Sequence, residues 1–188
     1  AFVGGHPIAG GHRPGLAHAR AELFDGAPYV LTGVEDGSDP RALDALEETL
    51  TRMGARVRVM SAEAHDRALA FVSHLPQLVS SAVAATVAEQ ANARELVGLS
   101  GAGYRDVTRL AASPWAVWRD ILATNPAHVA DALDRVLEKL SAVRAELRGV
   151  GEGAGALDAT RALFDQTAPS ETAAVSRPDA GLDQPREF

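Results

Sequence analysis

Two histidines and an arginine stand where their types and neighbours could do chemistry. His6 lies in Gly4-Gly5-His6-Pro7-Ile8-Ala9-Gly10-Gly11, just after the apolar pair Phe2-Val3. That order places an imidazole where a strand ends and a loop begins, the position at which open α/β sheets present ligand-binding groups. An imidazole with an ordinary pKa of about 6.5 can take a proton from an alcohol near neutral pH. Gly4, Gly5, Gly10 and Gly11 would let backbone approach a ligand closely. Arg109, in Thr108-Arg109-Leu110-Ala111, carries a guanidinium fork that matches a carboxylate with two parallel hydrogen bonds. His74, in Ser73-His74-Leu75-Pro76, sits beside a proline expected to kink or break a helix and open a cleft. The residues alone leave other readings open: a loop histidine without a role, an ordinary helix-surface arginine, and a satisfied core histidine.

Three zones must position these groups. Residues 1–60 mix short β-type runs with Gly/Pro turns: Phe2-Val3, then Ala27 to Thr32, then Ala55 to Met60. Between the last two, Asp39 to Met53 repeats Leu43, Leu46, Leu50 and Met53 at helical spacing, with Pro40 suited to the first turn and Gly54 to the stop. Strand, helix and strand in this order imply a βαβ-like unit in a mostly parallel sheet, one that needs more strands than three. From Ser61, a helix cap followed by Glu63 in the first turn, the texture is helical to about Arg148. Further helices are expected over about 92–99, 106–112, 116–124 and 127–148. The last bears a stripe of Val129, Leu133, Val136, Leu137, Leu140, Val143 and Leu147 that suits an internal core, a neighbouring helix or another subunit. Residues 150–158 are glycine-rich, 156–166 suit one more short helix, and the polar stretch beyond Thr167 is expected to be mobile.

Composition removes several classes of function. The chain has 188 residues, 46% of them apolar, enough for one ordinary domain or a small one plus part of another. A formal charge of −7 without a dense basic patch argues against a nucleic-acid or anionic-membrane binder. Zero cysteines exclude disulfides, thiolate nucleophiles and thiolate metal sites, and fit a reducing cytoplasm. No metal site is assigned. No uninterrupted apolar run approaches the roughly 20 residues that span a bilayer, and the first residues do not read as a signal peptide.

Several segments together resemble the prephenate/arogenate dehydrogenase family of tyrosine biosynthesis. They are Gly4 to Gly10, the Ala27-Pro28-Tyr29-Val30-Leu31 strand, His65-Asp66-Arg67, Ser73-His74-Leu75-Pro76, and Tyr104 to Trp118. They occur in the family's order and cover about residues 2–125. The resemblance implies an α/β remnant, the C-terminal strands of a Rossmann-type sheet, followed by an all-α helical dimerisation domain. The expected division is 1–60 for the nucleotide-binding part, 61–150 for the helical substrate-binding and dimerisation part, and 151–188 for a short helix and tail. It implies an NAD-dependent or NADP-dependent oxidative decarboxylation of prephenate to 4-hydroxyphenylpyruvate in a cytoplasmic homodimer.

By the same resemblance His6 is the catalytic histidine that hydrogen-bonds the ring hydroxyl, and Arg109 grips the ring carboxylate. His74 lies at the cleft, and Gln77 stands where the family commonly has a second histidine facing the substrate side chain. Because a neutral amide suits an ammonium group, arogenate is an alternative substrate. Gly11, followed by His12, replaces a Ser/Thr-Glu pair common in the substrate loop. Trp118 is expected to pack a helix interface, and Arg105 and Asp106 to form structural ion pairs or caps. The cofactor-binding residues are unknown: the family's GxGxxG turn, its acidic ribose partner and an active-site serine precede the His6 segment, so this chain reads as the later part of such an enzyme. Two other readings stay open, a non-catalytic helical dimerisation fragment and another nicotinamide-dependent dehydrogenase acting on a different hydroxy acid.

Overall fold

The computed structural model describes residues 2–9, 15–33, 39–150 and 157–167. Three strands form the sheet: β1 (Gly4–Pro7), β2 (Pro28–Thr32) and β3 (Arg56–Val59), in the order β1-β2-β3. β2 and β3 are parallel, joined through helix α1 (Pro40–Arg52), as the strand–helix–strand reading requires. β1, however, runs antiparallel to β2, with Gly4 opposite Thr32 and His6 opposite Val30. The sheet is therefore mixed, contrary to the mostly parallel expectation.

The first strand also falls later than Phe2-Val3. Its glycines serve the sheet, because a Cβ on Gly4 would overlap Thr32 Oγ1 and one on Gly5 would come within 3.1 Å of Tyr29 Cε1. Cross-strand crowding, which has no local signature, selects glycine here. His6 consequently lies inside a strand rather than after one.

The helix α1 has readable ends. Asp39 Oδ1 accepts from the Arg41 amide at 3.0 Å, and Pro40 occupies the first turn. At its other end the Gly54 amide donates to the Thr51 carbonyl and the Ala55 amide to the Leu50 carbonyl, the two bonds of a Schellman stop. Gly54 has φ +89°, and a Cβ there would lie 2.7 Å from Asp25 Oδ1 and 3.2 Å from Asp25 Cα. Gly54→Ala is therefore expected to destabilise the fold by about 1–3 kcal/mol, read as a lower urea midpoint; an unchanged midpoint would contradict the strained turn. The stop also presses Ala55 onto Leu50 and Leu31, a core packed by Val3, Phe24, Tyr29, Leu43, Leu46 and Val57. Met53, expected on the apolar face, is exposed.

Beyond the sheet the chain is helical: α2 (Ala62–Leu69), α3 (Leu75–Ala88), α4 (Ala93–Gly98), α5 (Ala102–Thr108), α6 (Trp115–Thr124), α7 (Pro126–Gly149) and α8 (Asp158–Thr167). Ser61 caps α2, its Oγ accepting from the Ala64 amide at 3.1 Å. Pro76 neither breaks nor ends the helix that contains it. A single π turn, Ala70–His74, links α2 to α3, closed by the Leu75 amide on the Ala70 carbonyl. The wider turn absorbs the backbone disturbance that a proline imposes on the preceding turn.

Joined in this way, Ala62–Ala88 is long and apolar enough to cross a membrane by length and composition alone. It nevertheless buries His74, Gln77 and Ser80 within the fold, and its Ala70 packs on Val129 and Ala132, flanked by Leu75, Leu78, Leu122 and Leu133.

The chain divides into two compact units, Ala1–Leu133 and Asp134–Phe188. In the second, the Glu146 carboxylate accepts from the Ala159 and Thr160 amides and from the Thr160 hydroxyl, capping the start of α8. These bonds hold the Glu146 carboxyl below its ordinary pKa, the Thr160 hydroxyl contributing most. Of the α7 stripe, Val129 is buried, whereas Leu137, Leu140 and Leu147 are exposed. The expected glycine-rich linker and mobile tail fall on residues 151–156 and 168–188, outside those described.

Candidate active site

The sheet and the first helical turn after it bring His6 to His65. His6 Nδ1 lies 2.8 Å from His65 Nε2, with the rings edge to face at 5.1 Å between centroids. On its other side, His65 Nδ1 lies 2.8 Å from Asp66 Oδ1. The Ser61 cap positions this pair, since the His65 amide also closes the first turn on the Ser61 carbonyl at 3.0 Å. A second tie comes from Asn125, at the α6–α7 junction, whose Nδ2 donates to the Asp66 backbone carbonyl at 2.7 Å.

His74 completes the cluster from the π turn. Its side chain does not open into a cleft as expected: it is 7% exposed. Its ring meets Trp118 edge to face at 6.0 Å, and its Nδ1 lies 3.5 Å from Asn125 Nδ2. Burial pushes the His74 pKa down; the Asp66 carboxylate opposes this, and His65 and His6 reinforce it. For His6, burial first and the neighbouring His65 second also lower the pKa. Both shifts favour the neutral ring at physiological pH, the form a general base needs.

Gln77 and Arg109 belong to the adjoining face of α3. The 3-10 turn Arg109–Ala112 follows α5 and packs on α3. Gln77, 4% exposed, donates through Nε2 to the Leu110 carbonyl at 2.9 Å and to Ser81 Oγ at 3.3 Å. Its amide thus clamps the turn that carries Arg109. Arg109 itself is exposed and, among the described residues, has no carboxylate partner and no direct contact with the histidines. Trp118 packs against His74 from α6. Arg105 and Asp106 are exposed and, among the described residues, form no ion pair, so the structural pairing expected for them is not seen. Gly11 and His12 lie outside the described residues.

Three site residues had no role in the sequence reading: His65, Asp66 and Asn125. His65-Asp66 directly after a helix cap, and the helix-starting pair Asn125-Pro126, were the available signals.

A small sheet leading into helices, with a paired histidine at their junction, defines an α/β part coupled to a helical module. Family comparison narrows that class. Residues 1–59 match the model described as prephenate dehydrogenase, nucleotide-binding domain, and residues 61–159 match that for prephenate dehydrogenase, dimerization domain. The chain belongs to the prephenate dehydrogenase family. It is 36% identical over 144 residues to prephenate dehydrogenase of Bacillus subtilis (strain 168), covering 76% of this chain and 38% of that protein. Among solved structures, it is similar to prephenate dehydrogenase from A. aeolicus in complex with hydroxyphenyl propionate and NAD+. There the TM-score is 0.76 and the identity 30%, over 88% of this chain and 56% of that one. Synechocystis arogenate dehydrogenase gives a TM-score of 0.73 at 27% identity, over 88% and 59%. The chain thus spans less than half the length of the curated relatives it matches.

Proposed function

We propose that the enzyme carrying this chain converts prephenate, with NAD, to 4-hydroxyphenylpyruvate and carbon dioxide. The observation that supports this most directly is His6, 2.8 Å from His65 and with its pKa lowered by partial desolvation and by that neighbour, at the position of the family's GGHP segment. The A. aeolicus relative binds hydroxyphenyl propionate, a phenol with a side-chain carboxylate like the proposed product, together with NAD+.

The residues described offer no dinucleotide cradle. Gly4 and Gly5 are consumed by sheet packing, and among the described residues no glycine-rich turn joins a first strand to a helix. NAD, when bound by the enzyme, supplies the acceptor for the hydride. The residues of this chain would do the rest. His6 takes the proton of the ring hydroxyl as oxidation proceeds. Arg109 holds the ring carboxylate, whose bond to the ring then breaks; the electron pair enters the ring, aromatises it and leaves carbon dioxide. The proton on His6 returns to the phenolate oxygen, so charge and atoms balance.

Residues 1–60 are read as the C-terminal part of a Rossmann-type domain, 61–150 as the helical part that binds substrate and a second copy, and 151–188 as a short helix and tail. Exposed Val72, Val97, Leu99, Trp115 and Val117 supply apolar surface suited to a homodimer. A cysteine-free biosynthetic enzyme suits the cytoplasm. Gln77 donates to Leu110 and Ser81 through Nε2 alone; the ammonium group of arogenate would need its Oε1, so arogenate stays the alternative substrate. Steady-state assays of the full-length enzyme with NAD should give a higher kcat/KM for prephenate than for arogenate; the reverse order would overturn the substrate assignment.

A further inference from the structure

We propose that His65 and Asp66 form a positioning pair that fixes the tautomer of His6, leaving its Nε2 as the proton-accepting atom. This deepens the reading of His6 as the base and rests on it. A carboxylate has no proton to give, so the 2.8 Å contact with Asp66 Oδ1 places the single N–H of a neutral His65 on Nδ1. His65 Nε2 is then a lone pair. Its 2.8 Å contact with His6 Nδ1 needs a proton between them, and only His6 can supply it. The proton of neutral His6 therefore sits on Nδ1, and Nε2 is free to accept another. Had His65 the opposite tautomer, His6 Nδ1 would be the acceptor and Nε2 would carry hydrogen, unable to take a proton from a hydroxyl.

Once His6 is protonated, the same chain serves the cation. Its Nδ1–H still donates to His65, and the Asp66 carboxylate lies beyond, polarising the link. The logic is that of an acid–base histidine oriented by a carboxylate, with one imidazole interposed. The titratable groups gathered here are His65 and Asp66 on α2 and His74 on the π turn; the pKa of His6 is lowered by burial and by His65. Two ties outside the rings hold the pair still: the Ser61 cap and the Asn125 bond to the Asp66 carbonyl. A surface coincidence of two histidines would have neither.

The direct test is 15N NMR of ring-labelled histidine in the full-length enzyme, alongside kinetics. In the wild type, His6 is expected as the Nδ1–H tautomer; the Nε2–H form would overturn the proposal whatever the substrate proves to be. His65→Phe should mix the tautomers, lower kcat about 10- to 100-fold, on the order known for the outer partners of metal-bound histidines, and leave KM within about 2-fold. His65→Gln, whose Oε1 can accept where Nε2 did, should recover most of that loss; no recovery would contradict the acceptor role. Should His65→Phe fail to fold, Asp66→Ala removes the acceptor altogether, and an unchanged His6 tautomer and acid limb of kcat/KM there would also overturn it. An Nδ1–H His6 in an enzyme inert toward prephenate would defeat the functional reading while leaving the pair intact.

Discussion

Replacing His6 by asparagine is expected to lower kcat on the order of 10²- to 10⁴-fold, the range a positioned general base contributes. KM for prephenate should move little, because the ring carboxylate and not the hydroxyl supplies most of the grip. Asparagine can still hydrogen-bond the hydroxyl but cannot carry its proton away. The wild-type pH profile should share the signature. Since burial and His65 lower the pKa of His6, the neutral base survives as pH falls below the ordinary imidazole value of about 6.5. The acid limb of kcat/KM should therefore lie below that value and vanish in His6→Asn. Equal turnover in the variant would remove His6 from the chemistry.

Arg109→Ala should act on the opposite parameter. A hydrogen bond to a charged group contributes about 1.5–3 kcal/mol, so loss of the guanidinium fork should raise KM about 10- to 100-fold. The residue is exposed and unpaired with any carboxylate among the described residues, so its removal should leave the unfolding midpoint unchanged. Lysine should recover only part of the affinity, having charge without the planar fork. An unchanged KM in Arg109→Ala would show that the carboxylate is held elsewhere.

What could be read from the sequence was what local chemistry dictates. Asp39, Pro40 and Gly54 mark the two ends of α1, and Ser61 marks the start of α2, because caps and stops act over three or four residues. His6 could be singled out by type and neighbours. The strand that holds it was misplaced, because Gly4 and Gly5 look like a turn until Thr32 and Tyr29 are brought beside them. Pro76 was legible as a disturbance, but the widened Ala70–His74 turn that absorbs it depends on how the helix packs. Most telling are His65 and Asn125. Each reaches its partner across 59 positions, His65 to His6 and Asn125 to Asp66, and no spacing rule spans that distance. The bond from Gln77 to the Leu110 carbonyl spans 33 positions and is equally beyond any local pattern.

The central claim is that His6 drives an oxidation coupled to decarboxylation. Its most direct measurement is the stoichiometry of NADH formed and carbon dioxide released per prephenate consumed, in the full-length wild-type enzyme and in His6→Asn. One of each per turnover is expected in the wild type and, in the variant, both products falling together while prephenate still binds. Carbon dioxide released without NADH, or both products undiminished in the variant, would contradict it.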